Sequence, residues 1–222
     1  MMPGMENTIA PSATTPSATT PSTSAAGAPA APWDPRPALS TAFDTAAGVI
    51  SSISADQHAL PTPCTDMRVE QLVGHLIGVI ERISVMAKGG SVDDVPFILE
   101  LDPTEWNTAY QQRAVDARAS WADVALLTTP INLPWAVLPG FAAVSMYVNE
   151  VTVHSWDLAV ATGQRPTWDE SVADLAYQFM QQGLPAEERH DAPFDDAVDV
   201  PASASSIDRL VAWNGRQPGW KA

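Results

Sequence analysis

Three residues in one apolar segment carry side chains that could bind a metal ion. Glu150, His154 and Asp157 lie in the run FAAVSMYVNEVTVHSWDLAVA. Because an α-helix turns by about 100° per residue, this spacing places all three on one helix face. A carboxylate and an imidazole inside an apolar helix are unfavourable to bury unless something pairs with them. The spacing therefore indicates either a cluster of mutually paired side chains or a metal site.

A further candidate ligand, His75, lies in a second apolar segment, LVGHLIG. Helical projection places it at the margin of the apolar arc, where a half-buried histidine bonded to a backbone carbonyl is the alternative interpretation. Gly74 and Gly78 flank it, so another helix or a ligand could approach this part of the segment closely.

Together, His75, Glu150 and His154 would form an open set of three nitrogen and oxygen ligands. Such a set leaves a coordination position for water or substrate. Two histidines and one carboxylate suit Zn²⁺, and Ni²⁺, Fe²⁺ or Mn²⁺ would accept the same donors. Asp157 would then orient a ligand imidazole from behind.

Four other residues are candidates for chemistry. Arg209 and Arg216, in the C-terminal motif DRLVAWNGRQP, could bind a substrate carboxylate, and surface salt bridges are the alternative. Arg82 is a weaker candidate for the same role. Cys64, at an expected helix start, could have a lowered pKa, although a packing role is favoured.

Helical periodicity dominates the sequence after residue 36 and predicts an all-α fold. Four long amphipathic segments indicate a four-helix bundle, with short extra C-terminal helices and a small hairpin in INLPWAVLPG. Thr65 or Asp66 is expected to cap the second helix, and Thr167 the fifth. Three tryptophans are expected to fill the bundle: Trp121, Trp135 and Trp156. The helices are predicted at 37–58, 68–87, 104–128, 140–162, 168–182 and 206–213.

The first 36 residues differ in composition from the rest of the chain. PSATT occurs twice in tandem, and no charged residue lies between Asn7 and Trp33. A segment so poor in large apolar side chains cannot offset the entropy of ordering. The sequence therefore predicts a disordered tail at 1–36 and one domain at 37–222.

The charge balance and the cysteine count exclude several classes of function. Eleven Lys and Arg residues against 26 Asp and Glu give a formal charge of −15, which argues against nucleic-acid and anionic-membrane partners. A single cysteine excludes an intramolecular disulfide framework. We find neither a signal-peptide pattern nor an uninterrupted apolar stretch long enough to span a membrane, so we expect a cytoplasmic protein.

Three motifs resemble those of one family: TPCTDMRVEQLVGHLIG, NEVTVHSWDLAVATGQ and DRLVAWNGRQP. They are similar to actinobacterial metal-binding proteins related to the N-terminal domain of mycothiol-dependent maleylpyruvate isomerase, in the DinB/YfiT-like superfamily of metalloenzymes. The resemblance runs from about residue 37 to residue 220. It implies a four-helix bundle that holds a divalent metal between helices. His75, Glu150 and His154 carry over as ligands, since Glu150 takes the place that a glutamate has in the isomerase.

The resemblance also implies a class of activity. A metal of this type can hold the sulfur of a small thiol, here mycothiol, as a thiolate that attacks a small electrophile. We therefore expect a thiol-dependent transferase or isomerase. The isomerase has a further C-terminal domain that this sequence is too short to include, so its substrate does not carry over.

Two other functions are compatible with the same ligands. One is a non-catalytic metal- or ligand-binding module or sensor. The other is a metal-dependent hydrolase, for which Asp157 would be the nearest general base. The expected partners are a small-molecule substrate and a low-molecular-weight thiol, and a homodimer through an apolar helix face is compatible with the pattern.

Overall fold

Four long helices form a closed ring around the core. A computed structural model of the chain describes residues 33–189 and 194–221. In the ring α1 packs against α4, α4 against α2, α2 against α3, and α3 against α1. The prediction of an all-α bundle is confirmed, whereas the predicted tail lies almost wholly outside the described residues. The four helices are α1 at Arg36–Ser51, α2 at Val69–Ala87, α3 at Trp106–Ser120 and α4 at Gly140–Ala161.

Helix α4 is the central element of the bundle. It is apolar on nearly every side, and 17 of its 22 residues are buried, because α1, α2 and α5 all pack against it. Most polar side chains on α4 are therefore buried between helices. Within the described residues, no helix is both long and apolar enough to cross a membrane.

The remaining elements lie around this ring. The predicted hairpin is present as β1 at Pro130–Leu133 and β2 at Ala136–Pro139, antiparallel with Ile131 opposite Leu138. Helix α5, Glu170–Gly183, packs against α4 and α1, and α6, Ser206–Trp213, packs against α5. The C-terminal segment that follows α6 thereby returns to α4.

Two helices end earlier than the periodicity predicts. Helix α1 stops at Ser51 rather than at residue 58, because the hydroxyls of Ser51 and Ser52 both donate to the carbonyl of Gly48. Helix α3 stops at Ser120 rather than at 128, because the side chain of Asp123 accepts from a backbone amide two residues on and starts a separate turn. Local side-chain bonds of this kind compete with helix continuation.

Both predicted N-caps are wrong. Helix α2 begins at Val69, after a turn in which the Thr62 hydroxyl donates to the carbonyl of Met67, so neither Thr65 nor Asp66 caps it. Helix α5 is capped by Asp169 and not by Thr167. Residues 63–67 form a loop beside the bundle.

The tryptophan prediction is correct at two positions of three. Trp121 and Trp156 are buried in the core, whereas Trp135 is 64% exposed. Trp135 occupies the two-residue turn between β1 and β2, where both residues are exposed. Connecting turns run over the protein surface, so the indole stays largely in solvent.

Candidate metal centre

Three candidate ligands meet where α2 packs against α4. His75 comes from α2, and Glu150 and His154 come from α4. Each offers a ligand atom, and the three atoms lie within 4.8 Å of one another. The two imidazole rings are 5.0 Å apart between centroids and nearly perpendicular, at 86°. The packing of the two helices thus gathers residues that are 75 positions apart in the chain.

The ring of His75 is oriented by a backbone carbonyl. Its Nδ1 lies 2.9 Å from the carbonyl oxygen of Phe97, and a carbonyl can only accept, so Nδ1 carries the hydrogen. The other nitrogen, Nε2, lies 3.4 Å from Oε1 of Glu150. His75 is only 2% exposed, and therefore buried rather than at the margin of the core. The sequence offered a bond to a backbone carbonyl and a metal-ligand role as alternatives for His75. The two are compatible, because the carbonyl binds Nδ1 and a metal would bind Nε2 of the same ring.

A loop reaches His75 because α2 carries glycine beside it. The amide of Leu99 donates to the carbonyl of Gly74 at 3.3 Å, and a Cβ atom on Gly74 would overlap the carbonyl oxygen of Leu99. Arg82 holds the same loop, since its Nη2 donates to the carbonyl of Pro96 at 2.6 Å. The glycines thus allow a loop, rather than another helix or a ligand, to approach α2 closely. This loop places the Phe97 carbonyl against His75.

His154 is oriented by a buried ion pair. Its Nδ1 lies 3.1 Å from Oδ2 of Asp157, a carboxylate with no exposed side-chain surface. Arg216 donates to both oxygens of that carboxylate, from Nε at 3.2 Å and from Nη2 at 3.1 Å. Burial lowers the pKa of Arg216, but the charge of Asp157 and the hydrogen bonds to it outweigh burial and raise it overall. Asp157 therefore accepts from a donor on each side, and in a neutral His154 ring the free lone pair is on Nε2.

Glu150 opens onto a cavity and is not fully buried. Its side chain is 31% exposed, although the sequence indicated a carboxylate enclosed by the bundle. Desolvation raises the pKa of Glu150, but the contact with His75 and the neighbouring His154 and Arg82 outweigh it and hold the pKa below its usual value. This direction corresponds to an ionised Glu150 with positive charge at its contact with His75.

The cavity next to the three candidate ligands has a volume of about 490 Å³. That is within the usual range for a small-molecule site. Part of its wall is apolar, from Met67, Phe97, Val153 and Phe194. Part is charged, from Asp66, Glu150, Asp195 and Arg216.

The three candidate arginines fall in three different places. Arg216 lines the cavity and binds Asp157. Arg209 donates to Asp174 at 2.8 Å and is not among the described residues that line the cavity. Arg82 supports the loop over His75, with its guanidinium 5.8 Å from the ring centre of Phe97.

Cys64 lies in the cavity wall, on the loop before α2. Its sulfur lies within 4.8 Å of a ligand atom of His154 and of Asp157. Burial raises the pKa of the thiol to about 11, although the nearby charge of Arg216 lowers it. The alternative of a helix start that lowers this pKa is therefore wrong: the helix begins five residues later, and partial burial dominates.

The raised pKa of Cys64 predicts slow alkylation that accelerates with pH. In the folded, metal-free protein we expect the iodoacetamide rate to keep rising by about tenfold per pH unit up to about pH 11. In denaturant the rate should level off near the ordinary thiol pKa of about 8.5. Cys64 is the one cysteine in the chain, so the total label reports this residue alone. A folded protein whose rate levels off at the same pH as the denatured chain would contradict the prediction.

Two features of the site were not predicted from the sequence. One is the Phe97 carbonyl, whose only signal was the pair of glycines in α2. The other is a reciprocal pair of side-chain amides, in which Asn149 and Asn214 donate to each other at 3.0 and 2.8 Å. Both amides are buried, and the pair joins α4 to the end of α6. Asn149 precedes Glu150 in the apolar run. A polar residue inside an apolar helical segment is the sequence signal that could have indicated this pair.

Comparison with known proteins agrees with this architecture. The family described as mycothiol maleylpyruvate isomerase N-terminal domain matches residues 39–159, more than half of the chain. Uncharacterized proteins from two strains of Mycobacterium tuberculosis are each 29% identical over 185 residues, covering 82% of this chain and 98% of the relative. No solved structure matches. The matched segment includes all three candidate ligands, and the chain belongs to the mycothiol maleylpyruvate isomerase N-terminal domain family.

Proposed function

We propose that the protein binds a divalent metal through His75, Glu150 and His154. The contact between Nε2 of His75 and Oε1 of Glu150, at 3.4 Å, carries this proposal. Since the hydrogen of a neutral His75 ring is committed to the Phe97 carbonyl, two lone pairs face each other there. Such a contact is favourable only when a cation, either a second ring proton or a metal ion, lies between the two atoms. The nearby His154 favours the metal, because its own unprotonated nitrogen adds a third donor.

The residues present fit a divalent metal. Each imidazole donates through Nδ1 to an oxygen, the Phe97 carbonyl for His75 and the Asp157 carboxylate for His154. This arrangement fixes the ring tautomer and is the usual support of metal-binding histidines. Three protein ligands beside a cavity suit an open site. Zn²⁺ is the preferred ion, and Ni²⁺, Fe²⁺ and Mn²⁺ accept the same donors.

The proposed activity is thiol-dependent transfer to, or isomerisation of, a small electrophile. When bound, the metal would lower the pKa of a thiol so that its sulfur is a thiolate at neutral pH. The family to which the chain belongs supports mycothiol as this thiol. The chain's own contribution is to hold the two histidines in one tautomer and to provide the cavity in which thiol and electrophile meet.

The geometry disfavours the hydrolytic alternative. A hydrolase of this kind needs a free base beside the bound water, and Asp157 was the nearest candidate. Both oxygens of Asp157 already accept hydrogen bonds from Arg216, and Oδ2 also contacts His154. The side chain has no exposed surface, so it does not face the cavity.

Metal content after mild chelation tests the ligand set. We expect about one equivalent of divalent metal in the wild type and almost none in His154→Ala, because two ligands hold such an ion poorly. His58→Ala is the matched control, since His58 packs on Trp106 outside the site. It should retain the metal. Negligible metal in the reconstituted wild type, or equal metal in His154→Ala, would refute the proposed site.

Thiol transfer separates an enzyme from a non-catalytic binding module. The metal-loaded wild type is incubated with mycothiol and a panel of activated alkenes, epoxides and halides, and conjugates are measured by mass spectrometry. Conjugation that exceeds the rate with His154→Ala supports the enzyme. Stoichiometric metal without conjugation under any reconstituted metal would instead favour the module.

A further inference from the structure

Carboxylates outnumber guanidinium groups among the described side chains that line the cavity. Asp66, Glu150 and Asp195 contribute three carboxylates to its wall. Among the described residues of that wall, Arg216 is the one with a cationic side chain. Asp66 and Asp195 are exposed, so they meet a ligand as it enters from solvent.

The cation of Arg216 is already engaged. Its Nε and Nη2 donate to the two oxygens of Asp157, and its Nη1 donates to the carbonyl of Asn214 at 3.1 Å. Asp157 lies behind the guanidinium and is buried, so its negative charge offsets that of Arg216. Among the described residues that line the cavity, a carboxylate would find no guanidinium that lacks a counter-charge. Arg216 acts as a positioning residue for Asp157 rather than as the carboxylate-binding residue that the sequence suggested.

The net charge of the cavity wall stays negative when a divalent metal ion is included. A divalent cation would neutralise two of the three wall carboxylates and leave one negative charge. The formal charge of −15 over the whole chain adds a repulsive field for anions. Met67, Phe97 and Val153 give the same cavity an apolar wall, and Phe97 is 63% exposed. An uncharged molecule can therefore pack against the apolar wall of the cavity, whereas a carboxylate is repelled by the negative charge of the same wall.

We propose that the ligand accepted by this site is uncharged or cationic, and that Asp66 and Asp195 discriminate against carboxylates. This inference rests on the proposed function, because the selected molecule is the one that meets the metal. It narrows the substrate class to neutral or cationic thiols and electrophiles.

Three thiols of matched length test the charge preference. The full chain loaded with Co²⁺ is titrated with 2-mercaptoethanol, cysteamine and 3-mercaptopropionate, and binding is followed by the sulfur-to-cobalt absorption band. At low ionic strength we expect the wild type to bind the neutral thiol about tenfold more tightly than the anionic one. An anionic thiol that binds the wild type as tightly as the neutral one overturns the inference.

The three thiols differ in acidity as well as in charge. Comparing the affinity ratio between the wild type and charge-neutralising variants cancels the difference in acidity, because it is the same for every protein. Asp66→Asn and Asp195→Asn should each reduce the neutral-to-anionic affinity ratio about threefold, and salt should reduce the wild-type ratio, because both carboxylates are exposed and screened. Asp116→Asn, on the exposed side of α3, changes the net charge equally and should leave the ratio unchanged. Ratios that are equal in all four proteins overturn the inference, while thiol binding itself upholds the proposed function.

Failure of the proposed function has a different signature. If no Co²⁺ binds, both proposals fall. If Co²⁺ binds but no thiol does, the thiol activity is refuted, and the charge preference is measured with imidazole and azide instead. Asp66→Asn and Asp195→Asn should then raise azide affinity about threefold relative to imidazole. Unchanged relative affinities would overturn the inference in that case too.

Discussion

Replacing Asp157 by asparagine is expected to lower the free energy of unfolding by about 3 kcal/mol, because it leaves the Arg216 guanidinium without its counter-ion in a buried site. The side chain of Arg216 is 12% exposed and that of Asp157 is fully buried, so water compensates little for the lost charge. The substitution keeps the shape of the side chain, and therefore tests charge rather than packing. Urea unfolding of the metal-free protein gives the measurement.

The same variant should weaken metal binding by about 10- to 100-fold. An asparagine amide can present either its oxygen or its NH₂ group to Nδ1 of His154, so the ring loses its fixed tautomer. Competition with a chromophoric chelator measures the affinity.

An exposed ion pair in the same protein provides the control for Asp157→Asn. Asp174 accepts from Arg209 at 2.8 Å, and the two side chains are 41% and 33% exposed. We expect Asp174→Asn to cost less than about 1 kcal/mol and to leave metal affinity unchanged. Equal stability losses in the two variants, or an unchanged metal affinity in Asp157→Asn, would refute the role assigned to Asp157.

Replacing Gly74 by alanine is the second substitution with a large expected effect. Its Cβ would overlap the carbonyl oxygen of Leu99, so the loop over His75 must move away from α2. We expect a loss of about 1 to 3 kcal/mol in the free energy of unfolding. Since the displaced loop also carries the Phe97 carbonyl, metal affinity should fall about tenfold or more. Urea unfolding and chelator competition measure the two effects.

Two other helical glycines calibrate the Gly74 result. Gly48, on α1, has no atom within 4 Å of the added Cβ, so Gly48→Ala should stabilise the protein by about 0.5 to 1 kcal/mol through helix propensity. Gly78 is intermediate, with its added Cβ 3.3 Å from the carbonyl oxygen of Pro96. A Gly74→Ala protein that binds metal as tightly as Gly48→Ala would show that the loop does not orient His75.

The three candidate ligands could be found from sequence because each depends on helical geometry. The spacing of Glu150, His154 and Asp157 fixes a shared helix face wherever the helix lies in the bundle. His75 was recognised because a histidine interrupts an apolar run. The same apolar periodicity predicted that the helices exist. It placed the ends of α4 and α6 to within a residue or two.

Features set by local hydrogen bonds or by long-range contacts could not be predicted in this way. The early ends of α1 and α3 depend on which serine or aspartate side chain turns back to the backbone, which periodicity does not encode. The pairing of Arg216 with Asp157 joins residues 59 positions apart. Sequence identified both residues as candidates, but only the packing of the C-terminal segment against α4 shows that they bind each other.

The amide pair of Asn149 and Asn214 gives the C-terminal segment an attachment that is insensitive to solution conditions. Neither side chain titrates, and both are buried, so acid and ionic strength leave their two hydrogen bonds intact. The adjacent contact of Arg216 with Asp157 depends on the charges of both groups, whereas the amide pair does not. The amide pair therefore holds the end of α6 on α4 independently of the ion pair, and so keeps Arg216 within reach of Asp157.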